Sequence, residues 1–150
     1  MKISLGADHA GFELKEKIKK LLLQEGLQVN DQGTLSSESV DYPDFARKVG
    51  EEVANHSADL GILVCGSGIG MSIAANKVLG VRAANVSSEY EAQLSREHND
   101  ANVLALGARV LSDQMAFQIV HKWLETSFAG GRHLRRVEKI SEIEREEAKA

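Results

Sequence analysis

The chain has 150 residues, enough for one domain with a proper hydrophobic core. Its net charge of −4 argues against a general nucleic-acid-binding role, and its single cysteine excludes an internal disulfide. We find no signal peptide and no apolar run long enough to span a bilayer. A reducing cytoplasm is therefore the expected location, with no membrane partner.

Apolar segments alternate with helical patterns along the whole chain. Strands are predicted over residues 2–6, 27–31, 60–65, 81–86 and 103–107. Helices are predicted over residues 12–24, 43–56, 72–80, 88–97, 112–124 and 132–150. Strands that alternate with helices predict a parallel sheet covered on both faces. The expected fold is a three-layer αβα, doubly wound, Rossmann-like domain of class α/β, with an extra C-terminal helix.

The expected strand order is 2-1-3-4-5, the simplest order for five doubly wound strands. In this order strands one and three are neighbours, and ligands bind outside their carboxyl ends. Asp8 and His9 follow strand one, and the segment Cys65–Gly70 follows strand three. Two segments with reactive or polar groups therefore converge on one crevice.

The segment after strand three is rich in glycine. Cys65 is followed by glycines at alternate positions, Gly66, Gly68 and Gly70. Backbone N–H groups of such a turn bind anions, and a helix start favours the reactive thiolate. A lone cysteine in an apolar strand is more often a small buried hydrophobe, but the convergence with Asp8 favours a functional thiol. The turn fits neither a Walker loop nor the dinucleotide-binding fingerprint well.

Several polar residues near the predicted crevice have two interpretations. Asp8 and His9 could simply cap the first helix. Tyr42 is either a turn residue or a weak candidate to line the crevice. Arg109 follows strand five and is either a surface charge or an anion contact.

Other candidates are expected at the opposite end of the sheet. The pair His98–Asn99 follows a helix, and a helix after a parallel strand returns to the amino end of the sheet. This pair is either a structural turn or part of a partner chain's site. Arg132 and Arg136 share one helix face, which suits a phosphate, although a solvated charged tail is the alternative. The preceding Gly130–Gly131 suggests that the tail docks elsewhere, on a neighbouring chain.

Five segments together resemble a known family. They are Gly6–Gly11, Asp41–Asp44, Cys65–Gly70, His98–Arg109 and Gly131–Arg136. In this order, over essentially the whole chain, they are similar to the type B ribose-5-phosphate isomerases. The wider ribose/galactose isomerase family includes galactose-6-phosphate and allose-6-phosphate isomerases, so the reaction is better defined than the sugar. Ser67 stands where many members carry threonine, and it keeps the hydroxyl.

The resemblance implies a reaction and a set of site residues. It implies interconversion of ribose 5-phosphate and ribulose 5-phosphate through an enediolate, as in the pentose phosphate pathway, without metal or other cofactor. By this resemblance Cys65 is the base and His98 assists opening of the sugar ring. The implied substrate contacts are Asp8, His9, Gly66, Ser67, Gly68, Ile69, Gly70, Asn99, Arg109, Arg132 and Arg136. The family also implies a homodimer or a tetramer, with each active site shared between subunits and the tail 132–150 at the interface.

Two other functions are compatible with the same residues. The first is a hexose-phosphate isomerase acting on allose 6-phosphate or galactose 6-phosphate. The second is a non-catalytic regulatory module that binds a sugar phosphate. A phospho-receiver domain is set aside, because Cys65 stands where the acceptor aspartate is needed.

Overall fold

The computed structural model describes residues 1–149 and contains one parallel sheet of five strands. The strands are β1 (Lys2–Ala7), β2 (Gln28–Asp31), β3 (Leu60–Cys65), β4 (Ala83–Asn85) and β5 (Val103–Gly107). The helices are α1 (Phe12–Gln24), α2 (Tyr42–Ala54), α3 (Ile69–Ala75), α4 (Glu89–Glu97), α5 (Asp113–Glu125) and α6 (Arg132–Ala148). The predicted alternation of strands and helices is confirmed.

The helices form two layers, one on each face of the sheet. Along β3 the side chains alternate, so that Ile62 and Val64 pack with α1, α4 and α5, whereas Leu63 and Cys65 pack with α2 and α3. Each face has its own buried apolar cluster. The three-layer α/β class predicted from the sequence is confirmed.

The predicted order of the last two strands is wrong. The sheet has the order β2-β1-β3-β5-β4, not 2-1-3-4-5. All five residues of β5 are buried, which suits a strand with a neighbour on either side. The strand β4 has only three residues, none fully buried, and lies at the edge of the sheet. As a consequence, Gly107 at the end of β5 lies in register with Cys65.

Two helices begin at serine caps, and a glycine follows the end of α1. The Ser88 hydroxyl accepts a hydrogen bond from the N–H of Glu91 at the start of α4, at 3.1 Å. The Ser112 hydroxyl does the same for Met115 at the start of α5, also at 3.1 Å. Gly26 follows α1 with a φ of 80°, a left-handed conformation that ends a helix. Serine at the start of a helix and glycine after its end are the residue types that such caps favour.

The C-terminal helix α6 begins after two glycines with left-handed φ angles, Gly130 and Gly131. It returns to its own chain, where the Glu144 carboxylate accepts a hydrogen bond from the N–H of Gly80 at 3.1 Å. Val137 is its only buried residue within the part of α6 that the structure describes. Residue 150, the last of the predicted tail, lies outside the described residues. Over residues 1–149, no helix is both long and apolar enough to cross a membrane.

Candidate active site

Cys65 lies at the end of β3, where the chain leaves the sheet through the glycine turn, residues 66–70. The thiol is 5% exposed, and its Sγ accepts a hydrogen bond from the N–H of Gly68 at 3.1 Å. Gly68 has a φ of 82°, and a Cβ atom there would lie 2.5 Å from Oδ1 of Asn85. Only glycine fits this position, and its backbone N–H points at the sulfur.

The loop after β5 supports the glycine turn from one side. The N–H of Ala108 donates to the carbonyl of Cys65 at 2.8 Å, and the N–H of Arg109 donates to the carbonyl of Gly66 at 2.9 Å. A Cβ atom on Gly107 would lie 2.5 Å from the carbonyl oxygen of Ser67, so the two backbones are in direct contact. These contacts fix the carbonyls of the turn.

The N–H groups of the same turn are largely free. Within residues 1–149 the N–H groups of Gly66, Ser67 and Gly70 donate to no protein acceptor, while that of Ile69 donates to the Ser67 hydroxyl at 3.2 Å. Successive free N–H groups in a tight turn form an anion-binding concavity. The turn therefore offers donors to a negatively charged oxygen beside the Cys65 sulfur.

Asp8 and His9 lie at the neighbouring exit, at the end of β1, as predicted from the pairing of strands one and three. The N–H of Asp8 donates to the carbonyl of Val64 at 3.3 Å, and a Cβ on Gly11 would lie 2.3 Å from the same carbonyl oxygen. The Asp8 carboxylate accepts a hydrogen bond from the N–H of Gly11 at 3.0 Å and is largely buried. Asp8 therefore holds the turn that leads to Gly11, the N-cap residue of α1, and also borders the Cys65 exit.

Two weaker candidates border the glycine turn as well. A Cβ atom on Gly70 would lie 2.6 Å from Cε1 of Tyr42, and one on Gly66 would lie 3.0 Å from Nη1 of Arg109. We call the whole group, Asp8, His9, Tyr42, residues 65–70 and Arg109, the carboxyl-end half-site. The sequence reasoning missed Asn85, whose position at the carboxyl end of β4 was the available signal.

His98 lies at the opposite end of the sheet, where α4 ends. Its ring stacks on that of His133 in the first turn of α6, with centroids 4.2 Å apart and planes 11° apart. The N–H of Ala129 donates to the carbonyl of Glu97 at 3.1 Å, which ties the start of α6 to the end of α4. We call His98, Asn99, Arg132 and Arg136 the amino-end half-site.

The electrostatic character of this half-site is positive. The pKa of His133 lies below its ordinary value of 6.5, first because its ring loses water and then because of electrostatic repulsion by His98, Arg132 and Arg136. The carboxylate of Glu97 opposes this shift. Such a cluster of cationic and imidazole groups suits a phosphate group.

Two arginines hold the turn that carries His98 and Asn99. Arg96 donates to the Asp100 carboxylate at 3.0 Å, and Arg82 donates to the carbonyl of Asn99 at 3.2 Å. Asp100 itself has a left-handed φ of 46°. The turn is therefore fixed by side chains rather than by a regular backbone ladder.

One chain does not bring its two half-sites together. The carboxyl-end half-site follows β3 and β5, whereas His98 and Asn99 precede β5. The length of β5 alone separates the two ends by roughly 13 Å, at about 3.3 Å per residue. His98 therefore cannot reach Cys65 of its own chain. Within residues 1–149 no cluster of three or more His, Cys, Asp or Glu side chains is arranged to hold a metal ion.

Comparison with known proteins gives consistent results. The sequence pattern of a family described as Ribose/Galactose Isomerase matches residues 3–140. The chain is 52% identical to ribose-5-phosphate isomerase B of Escherichia coli, over 95% of this chain and 96% of that one. The solved structure of Clostridium thermocellum ribose-5-phosphate isomerase B matches with a TM-score of 0.97, 54% identity, and coverage of 97% and 99% of the two chains. The Mycoplasma genitalium enzyme, solved with bound ribulose-5-phosphate, matches with a TM-score of 0.94, 45% identity and 97% coverage of both chains.

Proposed function

The chain belongs to the ribose/galactose isomerase family, and on this premise we propose that it interconverts ribose 5-phosphate and ribulose 5-phosphate. One observation carries the proposal: the Cys65 sulfur lies beside a turn whose N–H groups are free to bind an oxyanion. Relatives that cover nearly the whole chain include ribose-5-phosphate isomerases, and one of these was solved with bound ribulose-5-phosphate.

The proposed chemistry is a proton transfer between two carbons of the open-chain sugar. The Cys65 thiolate removes the proton from C2, and the electron pair of that bond moves to the C1 carbonyl oxygen to give an enediolate. The resulting thiol returns a proton to C1, while the O2 hydroxyl proton passes to O1, so that the ketose forms. The N–H groups of the glycine turn stabilise the enediolate, each contributing on the order of 3 kcal/mol to the barrier reduction.

The other proposed site residues open and hold the sugar. His98 moves a proton between the ring oxygen and the C1 hydroxyl, which opens the furanose. Arg109, Arg132 and Arg136 bind the phosphate, which lies away from the reacting carbons and orients the sugar. The remaining proposed sugar contacts are Asp8, His9, Ser67 and Asn99, with Tyr42 as a weaker one.

We propose that each active site is shared between two chains of a homodimer. The support is geometric, because the two half-sites of one chain lie at opposite ends of the sheet. A two-fold axis that brings one half-site against the other on the partner generates two identical sites. The apolar side chains of Leu134, Ile140 and Ile143 on α6 are exposed and suit the subunit interface.

The proposal also concerns the domain and the compartment. Residues 1–150 act as a single sugar-phosphate isomerase domain, whose helix α6 contributes to the interface. A thiolate base works only in its reduced form, which favours the reducing cytoplasm.

The test is an isomerisation assay on purified protein treated with a chelator. We expect fast turnover of ribose 5-phosphate, indifferent to the chelator, and slow or no turnover of allose 6-phosphate and galactose 6-phosphate. The variant Cys65→Ala should lose roughly 10²- to 10⁴-fold in kcat, the usual contribution of a general base. Its binding of the sugar phosphate, measured by calorimetry, should persist.

Three results would contradict parts of this proposal. Full activity of Cys65→Ala would remove the base assignment. Turnover of a hexose phosphate alone would keep the mechanism and change the substrate. Binding without turnover of any of the three sugars would indicate a regulatory module.

A further inference from the structure

A fully buried lysine lies in α1, the helix that follows Asp8 and His9, and is not part of the carboxyl-end half-site. The side chain of Lys15, in the first turns of α1, is 0% exposed. Its Nζ donates to both carboxylate oxygens of Asp31, at 2.8 and 2.7 Å, and to Glu16 at 2.9 Å. Burial of a charged pair is weak evidence for stability, because desolvation offsets much of the attraction. The pair therefore invites a second explanation.

Asp31 connects this lysine to the loop between β2 and α2, residues 32–41. Burial would raise the pKa of Asp31, but hydrogen bonds from Lys15, Gly33 and Lys19 hold it below the ordinary 3.8, so the carboxylate is charged at neutral pH. Its Oδ1 accepts a hydrogen bond from the N–H of Gly33 at 2.9 Å. The carboxylate thus fixes the first residues of the loop.

The start of this loop is joined to the end of β1. The N–H of Ala7 donates to the carbonyl of Gly33 at 2.8 Å, and the N–H of Thr34 donates to the carbonyl of Ala7 at 2.8 Å. Ala7 directly precedes Asp8 and His9. The Lys15–Asp31 pair therefore anchors the loop at the strand end from which the half-site begins.

The far end of the same loop reaches His9. The N–H of Val40 donates to Nδ1 of His9 at 3.2 Å. A ring nitrogen that accepts a hydrogen bond carries no proton, so the proton of the neutral ring lies on Nε2. Among residues 1–149 the hydrogen bonds of His9 involve Nδ1 only. The Nε2–H group is therefore left as a donor for a ligand.

Between its two ends the loop has little support. Residues 35–39 are all exposed, and the side-chain hydrogen bond within them joins the N–H of Glu38 to the Ser36 hydroxyl at 3.3 Å. The placement of the Val40 N–H consequently depends on the anchor at Gly33 and on the start of α2.

We propose that Lys15 and Asp31 are positioning residues that hold the loop 32–41 so that the Val40 N–H fixes His9 in its Nε2–H form. In this form His9 presents one donor of fixed direction to an acceptor oxygen of the sugar phosphate. The identity of that ligand rests on the proposed function, whereas the tautomer of the His9 ring does not.

The test measures the ring of His9 by nitrogen NMR, first without any sugar. The two neutral tautomers give distinct nitrogen shifts, and the His9 signals are assigned with His9→Asn. We expect the Nε2–H pattern in the wild type. In Lys15→Met the two His9 nitrogens should move toward averaged shifts, and kcat/KM for ribose 5-phosphate should fall roughly 10- to 100-fold, as for a misplaced contact.

The matched control is Lys17→Met on the same helix. Lys17 also forms an ion pair, with Asp113 at 2.7 Å, but both side chains are half exposed and do not touch the loop. This variant should keep the wild-type His9 pattern and the wild-type kcat/KM.

Two further variants keep the proposal open to contradiction. Asp31→Asn has the same shape and replaces Lys15→Met if that protein does not fold, with the same expected effect. Val40→Pro removes the N–H group that donates to Nδ1 of His9, so the ring should no longer be held in its Nε2–H form. An Nδ1–H ring in the wild type, or an unchanged Nε2–H ring in the pair variants, would overturn the proposal. Neither result depends on whether the protein is an isomerase.

Discussion

The two half-sites are built in opposite ways. The carboxyl-end half-site is made largely of backbone: a buried sulfur, a turn of glycines and N–H groups set by close contacts with β5. The amino-end half-site consists of long side chains on the end of α4 and the start of α6, with Arg132, Arg136 and Asn99 exposed. Donors fixed by backbone need no reorganisation when charge develops, whereas flexible guanidiniums can follow a phosphate as it enters.

This difference matches the two tasks that the reaction sets. An enediolate must be stabilised where it forms, beside Cys65, and a displaced donor there would cost rate. The phosphate takes no part in bond making, so its site needs charge more than fixed geometry. We therefore expect changes at the Cys65 turn to act on kcat and changes at Arg132 or Arg136 to act mainly on KM. Loss of His98, which opens the sugar ring, should also lower turnover.

The largest effect is expected when one chain carries a defective carboxyl-end half-site and its partner carries a defective amino-end half-site. Cys65→Ala and His98→Ala should each be nearly inactive alone, because each dimer then has two defective sites. In a mixed dimer, one site contains both altered half-sites and the other contains both intact ones. Statistical exchange between the two variants should thus restore about one quarter of wild-type activity.

The measurement is the isomerisation rate after the two variants are mixed and their subunits exchanged. Exchange is followed separately, by mass spectrometry of chains that differ in isotope label. The control mixes Cys65→Ala with Cys65→Ser, which cannot form an intact site. No recovery despite proven exchange would mean that Cys65 and His98 do not meet across an interface.

A smaller effect is expected at the amino end. Arg136→Ala should raise KM for ribose 5-phosphate roughly 10- to 100-fold with kcat little changed, because a hydrogen bond to a charged group contributes about 1.5–3 kcal/mol. The comparison is Arg145→Ala, since Arg145 is also exposed on α6 but lies about 14 Å further along the helix than Arg136. Steady-state kinetics of both variants check this, and equal losses would contradict a specific phosphate contact.

Most of the fold was predictable because the strands and helices differ in hydrophobic period. The exception, the order of β4 and β5, depends on which strand is buried on both sides. The segment 81–86 contains the polar residues Arg82 and Asn85, whereas 103–107 contains only apolar residues and glycine, and only Ala83–Asn85 forms the edge strand. A short apolar stretch and a polar residue such as Asn85 are typical of an edge strand, and these two features indicate the correct order.

The sequence predicted which candidate residues lie at each end of the sheet, because the order of strands and helices determines this. Strand ends place Asp8 and Cys65 together, and the return of α4 places His98 at the other end. The stacking of His98 on His133 was not predictable, because it depends on how α6 returns to its own chain after Gly131. The contact of Asn85 with Gly68 was missed for a similar reason, since it needs the correct strand order.

The smallest expected effect is on that stacked pair. The pKa of His133 should lie below 6.5, because its ring loses water and faces His98, Arg132 and Arg136. Arg136→Ala should raise it, as one cationic neighbour is removed. A pH titration of the His133 ring protons by NMR measures both values, and an unchanged pKa in the variant would contradict the electrostatic cause.

The same shift has a consequence for folding stability. Because the folded-state pKa is lowered, the unfolded chain binds the proton more tightly than the folded chain does. The free energy of unfolding should therefore decrease as the pH falls through 6.5, and His133→Asn should lose less stability than the wild type over that range. Urea unfolding at about pH 7.5 and about pH 5 tests the sign. An equal loss in both proteins would mean that the acid sensitivity does not arise from His133.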